Sequence, residues 1–185
     1  MRCFISLNLD SGTKTLVQKV RNDFKSLLDE ATKDSIKWES IDKYHMTLFF
    51  LGDVESNILS AISDYLEKIE FSFDKICLSG SEVSAFPDMK RPRVLIMPLE
   101  DKENFSSGVF EKICGVLNSF GFKPEKKFHP HITLGRVRRD KKINLLHFKD
   151  KVNFRIEFSV SDFWLMESKL SSYGSVYKKI KCFPF

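Results

Sequence analysis

Two short segments of this sequence each place a threonine two positions after a histidine. The segment at 45–48 reads His-Met-Thr-Leu, and the segment at 131–134 reads His-Ile-Thr-Leu. Both have apolar neighbours and a glycine shortly afterwards, Gly52 and Gly135. One His-x-Thr on a strand is a weak signal. Two of them among only four histidines, in matching surroundings, indicate a paired functional site.

The paired residues are suited to breaking a phosphodiester bond. On a strand, residues i and i+2 point to the same face, so His45 projects with Thr47 and His131 with Thr133. If the two strands are neighbours around a pseudo-two-fold axis, two imidazoles and two hydroxyls converge. Histidine titrates near neutral pH, so the pair can supply one base and one acid. The threonine hydroxyls can donate hydrogen bonds to the non-bridging phosphate oxygens. This chemistry needs no metal and no cofactor.

Other residues are candidates for substrate contacts. Phe49 shares the predicted face of His45, where it can stack on a nucleobase, although core packing explains it equally well. Arg91 and Arg93 flank a proline; one is expected to line the cleft, and Arg93 is assigned to substrate binding. His129 is interpreted as the entry to the second motif strand, with a substrate contact or an alternative base as the other interpretation.

Three further features have simpler explanations. The basic segment at 138–142 can steer an RNA strand, or it can be a solvated loop. His147 is expected to be structural or on the surface. Trp38 and Trp164 are expected to pack in the core rather than to bind a ligand.

The surrounding elements predict an α+β fold. Apolar periodicity indicates helices at 12–31, 55–69 and 103–119, and strands at 2–9, 36–38, 44–51, 71–84, 93–99, 130–137, 152–166 and 175–182, with a loop at 33–35 and a connection at 171–174. Strands do not alternate regularly with helices, which favours antiparallel sheets over a doubly wound parallel sheet. The similar motif strands suggest a duplication, so we expect residues 1–185 to form one domain of two lobes, each contributing one motif.

Composition and charge agree with an ordinary globular domain. Hydrophobic residues make up 42% of the chain, and the formal net charge of +5 permits a polyanionic ligand without proving one. The four cysteines are scattered, with neither zinc-site spacing nor a disulfide pattern. No run has the length of a membrane span or a signal peptide. We therefore expect a cytoplasmic monomer with no membrane association and no obligate protein partner.

The sequence resembles the two-histidine (2H) phosphoesterase superfamily, and within it most closely the bacterial and archaeal RNA 2′,3′-cyclic phosphodiesterases. The resemblance runs essentially end to end. It is carried by the two motifs and by the stretches 2–7, 38–52, 86–95, 130–136 and 167–170, followed by Gly174 and Tyr177. One departure is Ile96, where the family often has an aromatic residue.

The resemblance implies a bilobal fold, in which two antiparallel sheets with outer helices are related by a pseudo-two-fold and the active site lies in the cleft between lobes. The implied activity opens a 2′,3′-cyclic phosphate on RNA, or a cyclic nucleotide, to a 2′-phosphomonoester. His131 would be the general base and His45 the general acid, while Thr47 and Thr133 hold the phosphate and Arg136 adds positive charge. The family is also associated with 2′-5′ RNA ligation, the reverse reaction.

Two alternatives remain open from the sequence. Other superfamily members act on ADP-ribose cyclic phosphate, on 2′-5′ oligoadenylate or on RNA 3′ tails. A non-catalytic RNA-binding module is the third interpretation, although binding alone does not need two titratable histidines.

Overall fold

The computed structural model describes residues 1–171 and 174–185. Ten strands occur in this part of the chain: β1 Arg2–Asn8, β2 Ile36–Trp38, β3 His45–Asp53, β4 Ile76–Gly80, β5 Ser84–Phe86, β6 Val94–Pro98, β7 His131–Val137, β8 Ile156–Val160, β9 Asp162–Ser171 and β10 Gly174–Pro184. The α-helices there are α1 Ser11–Ser26, α2 Glu30–Asp34, α3 Ser56–Leu66 and α4 Phe105–Ser119. The connection predicted at 171–174 includes Ser172 and Tyr173, which lie outside the described residues.

The strands form antiparallel sheets, which confirms the predicted α+β class. Within the described chain, seven strands follow the order β10-β9-β1-β3-β7-β6-β5, and β2 joins the same sheet by pairing with β7. β4 and β8 form a separate two-stranded sheet. All recorded pairings are antiparallel.

The two motif strands meet in the middle of the large sheet. β3 and β7 pair through one residue couple, Met46 with Ile132, and both side chains are fully buried. β3 otherwise pairs with β1, and β7 with β2 and β6. The first residue of each motif strand is its histidine, so the central couple stands directly between the two His–Thr pairs.

Both motif strands contain a β-bulge at the same distance from the histidine. Along β3 the register moves from Thr47 to Phe49 and skips Leu48. Along β7 it moves from Thr133 to Gly135. A bulge adds one residue and reverses the alternation of faces beyond it. The fifth residue after each histidine therefore returns to the face that the histidine occupies.

The helices cover the opposite face of the large sheet. Buried residues of α1, α3 and α4, including Phe24, Ile62 and Ile113, belong to the same hydrophobic cluster as Met46 and Ile132. This shared core holds the large sheet in a fixed position against the helices, because closely packed side chains resist displacement.

The helix predicted at 12–31 is interrupted. α1 ends with Leu27 as its C-cap, and α2 starts after Asp29, whose carboxylate accepts a hydrogen bond from the backbone N–H of Thr32. An aspartate with this geometry begins a helix. The apolar periodicity continues past the end of α1, so the prediction joined two helices into one. The loop predicted at 33–35 is accordingly wrong for Lys33 and Asp34, which belong to α2.

Two long strand predictions are also wrong in extent. The prediction at 152–166 is divided between β8 and β9, which belong to different sheets. The prediction at 71–84 contains only β4 and the first residue of β5. Phe71 and Phe73, which lie within the predicted range but outside any strand, pack their rings against Phe185.

Candidate active site

Both motif histidines are fixed by the backbone just before them. Nδ1 of His45 lies 2.7 Å from the carbonyl oxygen of Lys43, and Nδ1 of His131 lies 2.6 Å from that of His129. A carbonyl only accepts, so Nδ1 carries the proton in each ring. The neutral ring then has its lone pair on Nε2. The two histidines thus have the same tautomer for the same reason, a hydrogen bond to the backbone carbonyl two residues upstream.

The first pair has an additional contact within it. Nε2 of His45 lies 3.0 Å from Oγ1 of Thr47, so the hydroxyl donates to the ring nitrogen in the neutral state. Among the described residues, Thr133 makes no such hydrogen bond to His131. The Nε2 lone pair of His131 is therefore the more accessible of the two to a ligand proton.

Aromatic rings enclose the first histidine. The ring centroid of His45 lies 5.1 Å from that of Phe4 and 5.3 Å from that of Tyr177, which meets it edge-on. Desolvation by this burial lowers the pKa of His45 from 6.5 to about 4. The Lys14 charge and then the His131 charge lower this pKa further, while the hydrogen bond to the Lys43 carbonyl opposes the shift.

The second histidine has a similar but more open environment. Phe86 meets the ring of His131 edge-on, with 5.2 Å between centroids. Burial again lowers the pKa of His131, and the charge of Arg136 adds to the effect. Both rings are therefore neutral at pH 7 in the unliganded protein. Phe86 and Tyr177 contributed to the sequence resemblance but were not predicted as site residues, because nothing in their spacing reveals contact with a distant strand.

A cleft of about 690 Å³ opens beside these residues. That volume lies within the usual range for a small-molecule site, roughly 300–1,000 Å³. Its lining includes Thr47, His131, Thr133 and Arg136 from the motif strands, together with Phe50, Phe86, Arg93, Phe110, Phe128 and His129. The cleft therefore combines an apolar wall with hydroxyl, imidazole and guanidinium groups, which suits a nucleotide.

The bulge in β3 exchanges the expected positions of two phenylalanines. Phe49 was predicted to project with His45 and Thr47, but only 3% of it is exposed and it belongs to the core cluster. Phe50 is 65% exposed and its ring lies 6.0 Å from that of Phe4, on the histidine side of the sheet. Core packing is thus the better interpretation of Phe49, although it contributes to the cleft lining. Phe50 is the ring that a base can reach.

The bulge in β7 brings Arg136 to the cleft. Strict alternation would have placed Arg136 on the face opposite to His131, but the skipped residue returns it to the same side. Its Nε lies 3.8 Å from a carboxylate oxygen of Glu39. Arg93 also lines the cleft, and its guanidinium donates to the backbone oxygen of Lys141. Both arginines predicted to bind substrate are therefore at the cleft.

The remaining sequence candidates have the following positions. His129 is exposed, lines the cleft, and orients His131 through its carbonyl. In the basic segment at 138–142, Arg138 donates to the backbone of Asp34, and none of the described cleft-lining residues comes from this segment. His147 is exposed beside Phe148.

Trp38 and Trp164 are partly buried, and each hydrogen-bonds through its indole N–H, Trp38 to a backbone carbonyl and Trp164 to the carboxylate of Asp162. Across the described residues, no three side chains of the His, Cys, Asp or Glu type lie close enough together to hold a metal ion. No helix in the described part of the chain has both the length and the apolar character to cross a membrane.

Comparison with known protein families shows which family has this sequence pattern. The sequence model of the LigT-like phosphoesterases matches residues 12–96 and 109–177, which include both His–Thr motifs. The chain belongs to the LigT-like phosphoesterase family.

Two relatives of this LigT-like phosphoesterase are similar over more than nine tenths of their length. A protein of Archaeoglobus fulgidus named RNA 2′,3′-cyclic phosphodiesterase is 30% identical over 188 aligned residues, covering 99% of both chains. A protein of Thermotoga maritima with the same name is 28% identical, covering 96% of this chain and 92% of its own.

Solved structures show the same fold. A Thermus thermophilus protein superposes with a TM-score of 0.82 at 21% identity, covering 100% of this chain and 97% of its own. Escherichia coli LigT complexed with 3′-AMP gives a TM-score of 0.76 at 19% identity, covering 99% and 97%. The expected α+β fold is therefore confirmed.

Proposed function

We propose that this LigT-like phosphoesterase hydrolyses 2′,3′-cyclic phosphate ends of RNA, and 2′,3′-cyclic nucleotides, to 2′-phosphomonoesters. One observation carries the proposal: two His–Thr pairs occupy adjacent antiparallel strands beside one cleft that also presents Arg136. The names of the relatives from Archaeoglobus and Thermotoga support the choice of substrate.

The proposed reaction divides its two proton transfers between the histidines. Nε2 of His131 takes a proton from water as the water oxygen attacks phosphorus. The bond from phosphorus to the 3′ oxygen breaks, and that oxygen receives the proton held on Nε2 of His45. The phosphate remains on the 2′ oxygen. Thr47, Thr133 and Arg136 stabilise the charge that develops on the non-bridging oxygens.

The acid role requires His45 to gain a proton when substrate binds. In the unliganded protein its Nε2 is unprotonated and accepts from Thr47. An anionic phosphate placed beside the ring favours the charged imidazolium and raises its pKa. Protonation of Nε2 also removes the acceptor for the Thr47 hydroxyl, which is then free to donate to a phosphate oxygen. Substrate binding thus loads the acid and reorients the threonine in one step.

The assignment of acid and base is tested with two substrates and two variants. We expect His45→Ala and His131→Ala each to lower turnover of 2′,3′-cyclic AMP by about 10²–10⁴-fold, the usual contribution of one proton transfer. A p-nitrophenyl phosphodiester loses an anion that needs no protonation. It should therefore restore most activity to His45→Ala and little to His131→Ala. The opposite rescue would reverse the assignment, and full activity of either variant on the cyclic nucleotide would refute the mechanism.

Product analysis separates the proposed activity from its alternatives. An RNA ending in a 2′,3′-cyclic phosphate should yield a 2′-phosphate, with equal rates in buffer and in excess EDTA. Shortened RNA, or turnover of only ADP-ribose cyclic phosphate or 2′-5′ oligoadenylate, would indicate another substrate class. Tight RNA binding without turnover would indicate a binding module. An added RNA with a free 5′-hydroxyl tests ligation, because that hydroxyl can replace water in the same step and form a 2′-5′ linkage.

We also propose that residues 1–185 form one domain of two lobes, each contributing one motif. The pairing pattern supports this division, because β3 and β7 share one couple and otherwise pair within their own halves of the sheet. The cytoplasmic location and the lack of an obligate protein partner stay predictions.

A further inference from the structure

Two like charges face each other across the strands next to the cleft. Lys37 of β2 is the direct register partner of Arg136 on β7. Directly opposed residues of an antiparallel pair share a face, so both side chains leave the sheet on the cleft side. Like charges at such positions destabilise the pairing. The carboxylate of Glu39 lies beside Arg136, whereas Lys37 makes no ion pair within the described chain.

A second lysine joins the first. A Cβ at Gly174 would lie 3.3 Å from Nζ of Lys37 and 3.5 Å from Nζ of Lys43, so the two ammonium groups are within about 7 Å of each other. Lys43, like Lys37, has no carboxylate partner at ion-pair distance among residues 1–171 and 174–185. Lys37 and Lys43, the lysine pair, therefore concentrate positive charge that no carboxylate of residues 1–171 and 174–185 compensates at ion-pair distance.

The two ammonium groups of the lysine pair are close enough together to contact one phosphate group. Each ammonium can donate to a different non-bridging oxygen of one phosphate at about 2.8 Å, the usual length of a charge-assisted hydrogen bond. A phosphate bound in this way can connect two ammonium groups that lie within about 7 Å of each other. A bound phosphate would also offset the repulsion that Arg136 exerts on Lys37.

We infer that the lysine pair binds the phosphodiester one nucleotide upstream, on the 5′ side, of the cyclic phosphate being opened. This inference rests on the proposed function, which places the terminal phosphate among the His–Thr pairs and Arg136. Lys37 lies one strand beyond Arg136, at the strand separation of about 4.8 Å, so the lysine pair is adjacent to the site proposed for the terminal phosphate. The consequence is a preference for RNA ends over free cyclic mononucleotides, because a mononucleotide has no second phosphate.

The test compares kcat/KM for a dinucleotide ending in a 2′,3′-cyclic phosphate with that for 2′,3′-cyclic AMP. The readout is the ratio of the two values in the wild type and in Lys37→Ala/Lys43→Ala. We expect the double variant to reduce the ratio about tenfold. Lys102→Ala/Lys151→Ala removes the same charge from exposed positions elsewhere and should leave the ratio unchanged. A dinucleotide whose internal linkage is a neutral methylphosphonate should lower the wild-type ratio equally, with no further loss in the variant.

Salt dependence provides a second readout. One phosphate contact on a single strand corresponds to a slope of about −0.7 in a plot of log affinity against log salt. The logarithm of the ratio should follow this slope in the wild type and be nearly flat in the double variant. An unchanged ratio, or additive losses from the variant and the methylphosphonate, would overturn the inference.

The outcome remains interpretable if the proposed function fails. Should the wild type turn over neither substrate, binding of a dinucleotide with a terminal 2′-phosphate is measured by fluorescence anisotropy. Tighter binding by the wild type than by the double variant, lost with the methylphosphonate, would support the lysine pair independently of catalysis. Equal binding by both proteins would overturn it.

Discussion

The burial of His45 should make the stability of this protein depend on pH. Its pKa is about 4 in the folded state and about 6.5 when the chain is unfolded. Between these values the unfolded chain binds more protons than the folded protein, so stability falls as the pH falls. The contribution of this histidine is fully present above pH 6.5 and is lost progressively toward pH 4.

The magnitude follows from the size of the shift. One pKa unit corresponds to about 1.4 kcal/mol, so lowering the pH from 7 to 5 should cost about 2 kcal/mol through His45 alone. His45→Gln keeps a similar side-chain size and removes the titration. The free energy of unfolding should therefore change with pH less steeply in the variant than in the wild type, by about 2 kcal/mol over this interval.

The assay is urea denaturation followed by tryptophan fluorescence at pH 7 and pH 5 for both proteins. Other groups, including His131, titrate in both and largely cancel in the comparison. Nitrogen NMR of the imidazoles provides a direct check, because it reports both the pKa and the protonated nitrogen. A difference in pH dependence below about 0.5 kcal/mol, or a His45 pKa near 6.5, would refute the reasoning.

Further predictions concern single side chains. If the exposed ring of Phe50 stacks on a base, Phe50→Ala should raise KM for cyclic nucleotides about tenfold with little change in stability. Phe49→Ala should lower the free energy of unfolding, measured by urea denaturation, by about 3–5 kcal/mol, because Phe49 is buried. The reverse pattern would contradict the assigned faces. Gly135→Ala should lower the free energy of unfolding by about 1–3 kcal/mol, because the new Cβ would lie 2.9 Å from Cγ2 of Ile36. Gly108→Ala in α4 should raise it by about 0.5–1 kcal/mol, because a Cβ there meets nothing within 4 Å. Equal effects of the two variants would show that the contact with β2 is unimportant. Asp10→Ala removes the N-cap of α1 and should lower stability by about 1 kcal/mol, which thermal unfolding can measure; an unchanged midpoint would show that Thr13 does not depend on this cap.

Sequence reasoning was sufficient for the fold class and for placing each His–Thr pair on a strand. The two-residue spacing of His45 and Thr47 needs only a strand, and strand formers surround it. The spacing could not reveal the bulge, because an extra residue in the ladder depends on pairing with β1. For this reason Phe50, and not Phe49, lies on the face of His45. Strict alternation would likewise have placed Arg136 on the face opposite to His131.

Contacts between distant strands were equally beyond the sequence. Phe4 and Tyr177 enclose His45 only because β1, β9 and β10 bring the two ends of the chain to one part of the sheet. The depressed pKa of His45 follows from that enclosure and has no local signal. The break between α1 and α2 did have one, since Asp29 and Thr32 have the spacing of a helix N-cap.

The carbonyl tether on each imidazole has a consequence for how the two halves can move. Each ring is held by a residue of its own segment, Lys43 for His45 and His129 for His131, and in the described chain by no hydrogen bond across the central couple of strands. A change in the angle between the halves would therefore alter the distance between the two Nε2 atoms but not which nitrogen of each ring is protonated. The protonated nitrogen of each ring is therefore set locally, whereas the distance between the two Nε2 atoms is set by the pairing of β3 with β7.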